Sequence, residues 1–130
     1  LLSLSKVTDC IDLPSTGLPQ QLTIFRHVIN SSGEIPPVID SEDVLEDPES
    51  ILSVLCESIG IPFSQRMLSW DPGPRSCDGL WGKYWYDSVW KSSGFSPPSP
   101  KVGELSEHLY SVLEESTMIY EELREMRIRT

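Results

Sequence analysis

Arg75, Gly79, Trp81 and Lys83 fall close together in the stretch "DPGPRSCDGLWGK". Those residue types suit an anion joined to a flat ring. Arginine offers a planar fork of donors to phosphate oxygens, lysine adds a compact charge, glycine lets the main chain approach, and an indole can stack on a heteroaromatic base. The surrounding segment, residues 68–95, also gathers all four tryptophans of the chain, with Gly73, Gly79, Gly82 and Gly94. Between residues 66 and 101, Arg66, Arg75, Lys83, Lys91 and Lys101 outnumber Asp71, Asp78 and Asp87, although the 130-residue chain as a whole carries a net charge of −10. The bland alternative is that the tryptophans only fill a core and Arg75 sits on the surface, which is the commoner fate of large aromatics.

The elements that would position these residues can be read from periodicity and caps. "DPGPRSCDG" breaks both helical and strand patterns and is a loop, while Trp81 with Trp85, and Tyr86 with Val89 and Trp90, recur at helical spacing. A glycine-rich loop emptying into an aromatic helix is therefore expected, with Arg75 and Lys83 carried along. Upstream, Leu18, Leu22, Phe25, Val28 and Ile29 predict an amphipathic helix over about residues 18–31, capped by Ser15 or Thr16. "PPVID" reads as a short buried strand, after which Asp40 or Ser41 would cap a helix over "SEDVLED". Asp47 followed by Pro48 is a helix start. That helix should bury Ile51, Leu52, Leu55 and Ile59 and stop at Gly60, with Cys56 on its apolar face. Leu105, Leu109, Val112, Leu113, Ile119 and Leu123 predict a long amphipathic helix within a terminal segment 103–130.

The bulk numbers exclude several classes. The negative balance argues against a general nucleic-acid binder, which needs clustered cations to displace counterions from phosphates. No apolar run reaches the roughly 18 residues of a membrane span. The N-terminus has no basic region ahead of an apolar stretch, so the expectation is a cytoplasmic protein without a membrane or nucleic-acid partner. Cys10, Cys56 and Cys77 make no ligand-spaced pair, so no metal site is expected. His27 and His108 read as surface or packing residues rather than general bases. Residues 34–65 hold no Lys or Arg. Such a run is ordinarily a solvated face, though it could serve as an acidic docking surface. The opening "LLSLSKV" has the look of a helix already under way, and a longer parent protein is expected.

"MLSWDPGPRSCDGLWGKYWYDSVWKSSGF" resembles the C-terminal signature of a sulfotransferase-like P-loop family, with its Met-Leu-x-Trp, Gly-Pro-Arg, Asp-Gly-x-Trp, Trp-Tyr and Gly-Phe in order. "TGLPQQ", "PPVIDSEDVLEDPESILSVLCESIGIPF" and "LLSLSK" resemble the same family, again in order. The resemblance implies an α/β fold, the C-terminal part of a three-layer P-loop sulfotransferase-like domain filling residues 1–130, mostly helical with one or two strands. "PPVID" would be a strand of its parallel sheet. The family's donor is 3′-phosphoadenosine 5′-phosphosulfate (PAPS), and the resemblance places its 3′-phosphate and adenosine at Ser3, Arg75, Gly79, Trp81 and Lys83. The Arg75-to-Trp81 interval is one residue shorter than in the better-known cytosolic enzymes.

The family's 5′-phosphosulfate loop and its usual catalytic base belong to the N-terminal half and do not occur in these residues. No catalytic residue is assigned, and the N-terminal half of the same domain is the partner that the resemblance implies, alongside the nucleotide and a small-molecule acceptor of unknown identity. The parent would be a sulfotransferase. The competing expectation is a non-catalytic acidic interaction module on a degenerate sulfotransferase scaffold. Plant members of the family join this region to an aminotransferase-like domain, and nothing in these residues marks a pyridoxal phosphate site.

Overall fold

A computed structural model describes residues 1–6, 8, 10–99 and 103–130; Lys101, counted above among the positive residues, lies outside them. Six α-helices follow in order among the described residues: α1 (Leu18–Ser32), α2 (Ser41–Glu46), α3 (Pro48–Ser58), α4 (Gly82–Trp85), α5 (Asp87–Trp90) and α6 (Tyr110–Glu125). Single 3-10 turns lie at Leu4–Lys6, Pro14–Thr16, Gln65–Met67 and Glu107–Leu109. The chain divides into two compact units, one formed by Leu1–Asp40 and Ser99–Ile128, the other by Ser41–Pro98 with Arg129–Thr130.

In the first unit α1 packs against α6. Leu22 of α1 is buried, and Leu18, Phe25, Val28 and Ile29 are half-buried on the same face, as their spacing requires. Thr16 Oγ1 accepts the Leu18 N–H at 3.3 Å, whereas Ser15 is taken up by Asp12: each side chain accepts the other's backbone N–H at 2.9 Å. The Ser15 hydroxyl first, and then the Ser15 backbone N–H, hold the exposed Asp12 carboxyl below the usual range. From α6 and the turn before it, Leu109 is 2 % exposed and Leu123 is buried, while Val112 and Ile119 are half-buried. Arg26 and Glu122 join the two helices at 2.6 Å, a solvent-facing pair that adds little stability.

A polar cluster forms part of the same unit. Asp40 is buried, and its carboxylate accepts the Tyr120 hydroxyl. Arg124 Nε lies 3.5 Å from the same Asp40 oxygen, near enough to pair as ions but misaligned for a hydrogen bond. Ser116, one turn before Tyr120, buries its hydroxyl without a hydrogen-bond partner. Residues 116, 120 and 124 fall at i, i+4 and i+8, so one stripe of α6 carries all three.

"PPVID" does not become the buried strand expected of it. Val38 makes one isolated parallel bridge to Arg127, with the Ile128 N–H donating to the Val38 carbonyl at 2.8 Å, and Ile35 and Ile39 stand 58 % and 45 % exposed. Pro36 and Pro37 have no N–H to give, so a ladder through this segment loses consecutive donors.

In the second unit, α2 and α3 pack together. Asp47 caps α3, its Oδ1 accepting the Ser50 N–H at 3.2 Å, and Ser50 also holds the exposed Asp47 carboxyl below its ordinary pKa. At the other end Gly60 takes φ +71°, its N–H reaches the Glu57 carbonyl at 3.2 Å, and the Ile61 N–H reaches the Cys56 carbonyl at 2.9 Å. This paired closure is a Schellman stop, which needs a left-handed residue. Gly60→Ala is therefore expected to destabilise the protein by about 1 kcal/mol, checked by urea unfolding. Ile51 and Cys56 are buried and Leu52 and Leu55 half-buried, but Ile59 is 51 % exposed, because the helix has ended and the chain turns away before that position can pack. The Cys56 sulfur rests 3.9 Å from the Met67 sulfur, packing as a small apolar group. No helix among the described residues is long and apolar enough to cross a membrane.

Candidate functional site

The loop between Asp71 and Gly79 and the two helical turns after it build the site within the second unit. Contacts from Ser69 and Trp70 to residues 92–95 close its base. Ser69 and Gly94 form an antiparallel bridge, the Trp70 N–H donates to the Ser93 carbonyl at 3.0 Å, and the Trp70 indole N–H donates to Ser92 Oγ at 3.1 Å. Trp70 and Phe95 meet edge to face with ring centres 5.3 Å apart. Trp70 thus behaves as the structural tryptophan that helical and loop packing call for.

The expected aromatic helix is broken. α4 and α5 are four-residue turns that meet at Tyr86, whose φ of −100° and ψ of 11° leave the helical region. Local propensity favours this, since glycine and the bulky aromatics of "GKYWYDSVW" are weak helix formers. Tertiary bonds fix it. The Gly73 N–H donates to the Trp90 carbonyl at 2.8 Å, and the Trp90 indole N–H donates to Asp78 Oδ2 at 2.7 Å, tying α5 back to the loop.

Asp78 organises the loop itself. The same Oδ2 accepts the Arg75 backbone N–H at 2.7 Å, and the Asp78 N–H returns to the Arg75 carbonyl at 3.1 Å. The Asp78 carboxyl is held below its usual range by the Arg75 N–H first, then by the Trp90 indole, with a smaller contribution from the Arg75 charge. Gly79 follows at φ +70°, turning the chain toward α4. Gly82 is buried so tightly that a Cβ there would lie 3.0 Å from Asp78 Cβ and 3.3 Å from the Trp90 ring.

Arg75 is exposed, and its guanidinium donates to the Asp71 carbonyl at 2.8 Å. A carbonyl leaves most of its five donors available. Trp81 and Tyr84 are 72 % and 65 % exposed, their ring centres 6.1 Å apart, and Lys83 Nζ lies 4.8 Å from the centre of the Tyr84 ring. Lys91 is paired with Asp87 at 2.6 Å. Arg75, Gly79, Trp81 and Lys83 all belong to the second unit, on the loop and on the turn that directly follows it. The structure does not bury Trp81 or Trp85, so a tryptophan core accounts for neither. An exposed guanidinium, an ammonium and two open rings can hold an anion and a flat group together.

Ser3 belongs to the first unit. It is exposed just before the 3-10 turn Leu4–Lys6 and borders a cavity of about 330 Å³ that it shares with Leu1, Leu2, Gly103, Leu105 and Leu113. His27 and His108 are both exposed. Among the described residues no group of three or more His, Cys, Asp or Glu could hold a metal ion. The roles of Asp78 and Trp90 escaped sequence reasoning, which counted Asp78 as a charge and as the opening of the Asp-Gly-x-Trp motif, and Trp90 as a helical neighbour. Their signal would have been the short Arg-x-x-Asp spacing in a proline- and glycine-rich loop, where aspartate habitually bonds nearby backbone N–H groups.

Comparison with known proteins agrees with this region's wording. A profile described as the sulfotransferase domain matches residues 21–126. The branched-chain-amino-acid aminotransferase-like proteins 1 and 2 of Arabidopsis thaliana are 40 % and 36 % identical to the chain over 110 and 108 residues. Each alignment covers 83 % of this chain and 19 % of the relative, so the chain spans about a fifth of the length of these relatives. No solved structure gives a significant match. The profile takes in α1 from Gln21 onward, all of α6 and the whole Arg75 loop between them, and the chain belongs to the sulfotransferase domain family.

Proposed function

We propose that this chain is the C-terminal part of a P-loop sulfotransferase domain of three-layer α/β architecture, and that it grips the 3′-phosphate and adenosine of PAPS for sulfuryl transfer to an acceptor. The observation that carries this reading is the exposed Arg75 guanidinium on a loop followed directly by the turn that bears Lys83 and the open rings of Trp81 and Tyr84, inside a region matched to the sulfotransferase domain. Arg75 would fork onto phosphate oxygens, Lys83 would add charge, and Trp81 would stack on the base, with Gly79 allowing close approach. PAPS supplies the activated sulfuryl group. Charge building on its departing phosphate is stabilised by fixed cations, by the logic of phosphoryl transfer. The phosphosulfate loop and catalytic base are assigned to an N-terminal half of the same domain. The aminotransferase part of the relatives' name is assigned to portions of those proteins beyond the matched stretch.

Titration calorimetry with adenosine 3′,5′-bisphosphate, on the protein at its native length, tests the reading. Wild type should bind, and Arg75→Ala should bind about tenfold to a hundredfold more weakly, as expected for losing charge-assisted bonds to phosphate. Wild-type protein that does not bind the bisphosphate would overturn it. A second reading, a non-catalytic interaction module, is favoured by the exposure of four large apolar side chains close in sequence, Leu80, Trp81, Tyr84 and Trp85, since exposed apolar surface often marks a protein contact. Absence of nucleotide binding, with capture of a partner that is lost in Trp81→Ala, would support that second reading.

A further inference from the structure

We propose that Asp78 is the positioning residue of Arg75, the single carboxylate that holds the loop in the shape presenting the guanidinium; this rests on the nucleotide-binding reading. One oxygen, Oδ2, gathers two donors from different elements, the Arg75 backbone N–H and the Trp90 indole N–H, each at 2.7 Å. The short distances fit a charged acceptor. Around it, the Asp78 N–H closes onto the Arg75 carbonyl at 3.1 Å and the Gly73 N–H onto the Trp90 carbonyl at 2.8 Å. The loop from Gly73 to Asp78 is thereby fastened at Gly73, Arg75 and Asp78, with α5 as the anchor. Arg75 is exposed, and its guanidinium is tied to the Asp71 carbonyl at 2.8 Å, within the same loop. The backbone bonds at Asp78 set the loop shape on which that tie and the direction of the side chain depend.

Gly82 is the second half of the device. A Cβ at this position would lie 3.0 Å from Asp78 Cβ and 3.3 Å from the Trp90 ring, so a side chain here would press on both the carboxylate's own residue and its indole donor. Removing the Asp78 carboxylate should leave Arg75 chemically intact yet free to wander, raising the entropy lost when an anion is captured.

The test compares wild type, Asp78→Ala and the milder Asp78→Asn, which keeps one acceptor oxygen. Amide hydrogen exchange at Arg75 reads the loop directly and does not depend on any ligand. Exchange should quicken about tenfold or more in Asp78→Ala and less in Asp78→Asn, with α3 amides unchanged. An Arg75 amide that exchanges equally fast in all three proteins would overturn the proposal. Binding of adenosine 3′,5′-bisphosphate supplies the functional arm. Asp78→Ala should weaken it, and the double variant Asp78→Ala/Arg75→Ala should be no worse than Arg75→Ala alone. Fully additive losses would mean that Asp78 acts on its own account and would also overturn the proposal. If wild type fails to bind the bisphosphate, the nucleotide reading falls, while the exchange result still decides whether Asp78 fixes the loop.

Discussion

Asp40→Ala should destabilise the first unit by about 3 kcal/mol, read as a lower urea midpoint with an unchanged slope. The substitution strips the buried acceptor from the Tyr120 hydroxyl and takes away the counter-charge beside Arg124 Nε, itself shielded from solvent. Loss of one partner from a buried pair is destabilising chiefly because the other is left stranded. Arg124 keeps part of its side chain in water, about 35 % exposed, which places the effect toward the lower end of what buried ion pairs show. Tyr120→Phe, which deletes a single donor, should lose only about 1 kcal/mol. Equal losses from the two variants would show that the carboxylate's second neighbour, Arg124, contributes nothing.

Ile51→Ala should be comparably severe in the second unit, at about 3 kcal/mol. Ile51 is 3 % exposed on the packed face of α3, and truncation removes both transfer energy and packing contacts. Ile59→Ala, just past the end of the same helix, should shift stability by less than about 0.5 kcal/mol because Ile59 is 51 % exposed. Thermal or denaturant unfolding of the two variants checks the contrast. A large loss at Ile59 would mean that α3 continues further than its Schellman stop.

That pair also shows what could be read before the structure. α1, α3 and α6 were legible because each repeats apolar residues at helical spacing, and α3 because Asp47-Pro48 and Gly60 mark its two ends. Ile59 was misplaced since periodicity continues past the residue where the backbone actually turns. "PPVID" misled in the opposite sense: its apolar content promised a strand, and its two prolines removed the donors a strand needs. Arg75, Trp81 and Lys83 were visible as residue types, and the ordered motifs pointed to the family now matched over residues 21–126. Asp78 was invisible as an organiser because its partners are a backbone N–H and an indole, and neither leaves a charge pattern in the sequence. The break between α4 and α5 was hidden for the same reason, being fixed by bonds from Trp90 and Gly73 across the loop.

The order in which the chain leaves the ribosome acquires meaning from the two-unit division. The second unit is essentially one continuous stretch, Ser41–Pro98, complete before the last quarter of the chain has been made. The first is split, and its ties are remote: Arg26 with Glu122 across 96 residues and Asp40 with Tyr120 across 80. The contacts of α1 with α6 must therefore wait until residues 110–125 have been made. Closing so long a loop adds only a little free energy over a shorter one, yet it slows formation, because non-local contacts form late. The contacts that shape the Arg75 loop, all drawn from residues 71–90, are available to the chain earlier than those that join α1 to α6.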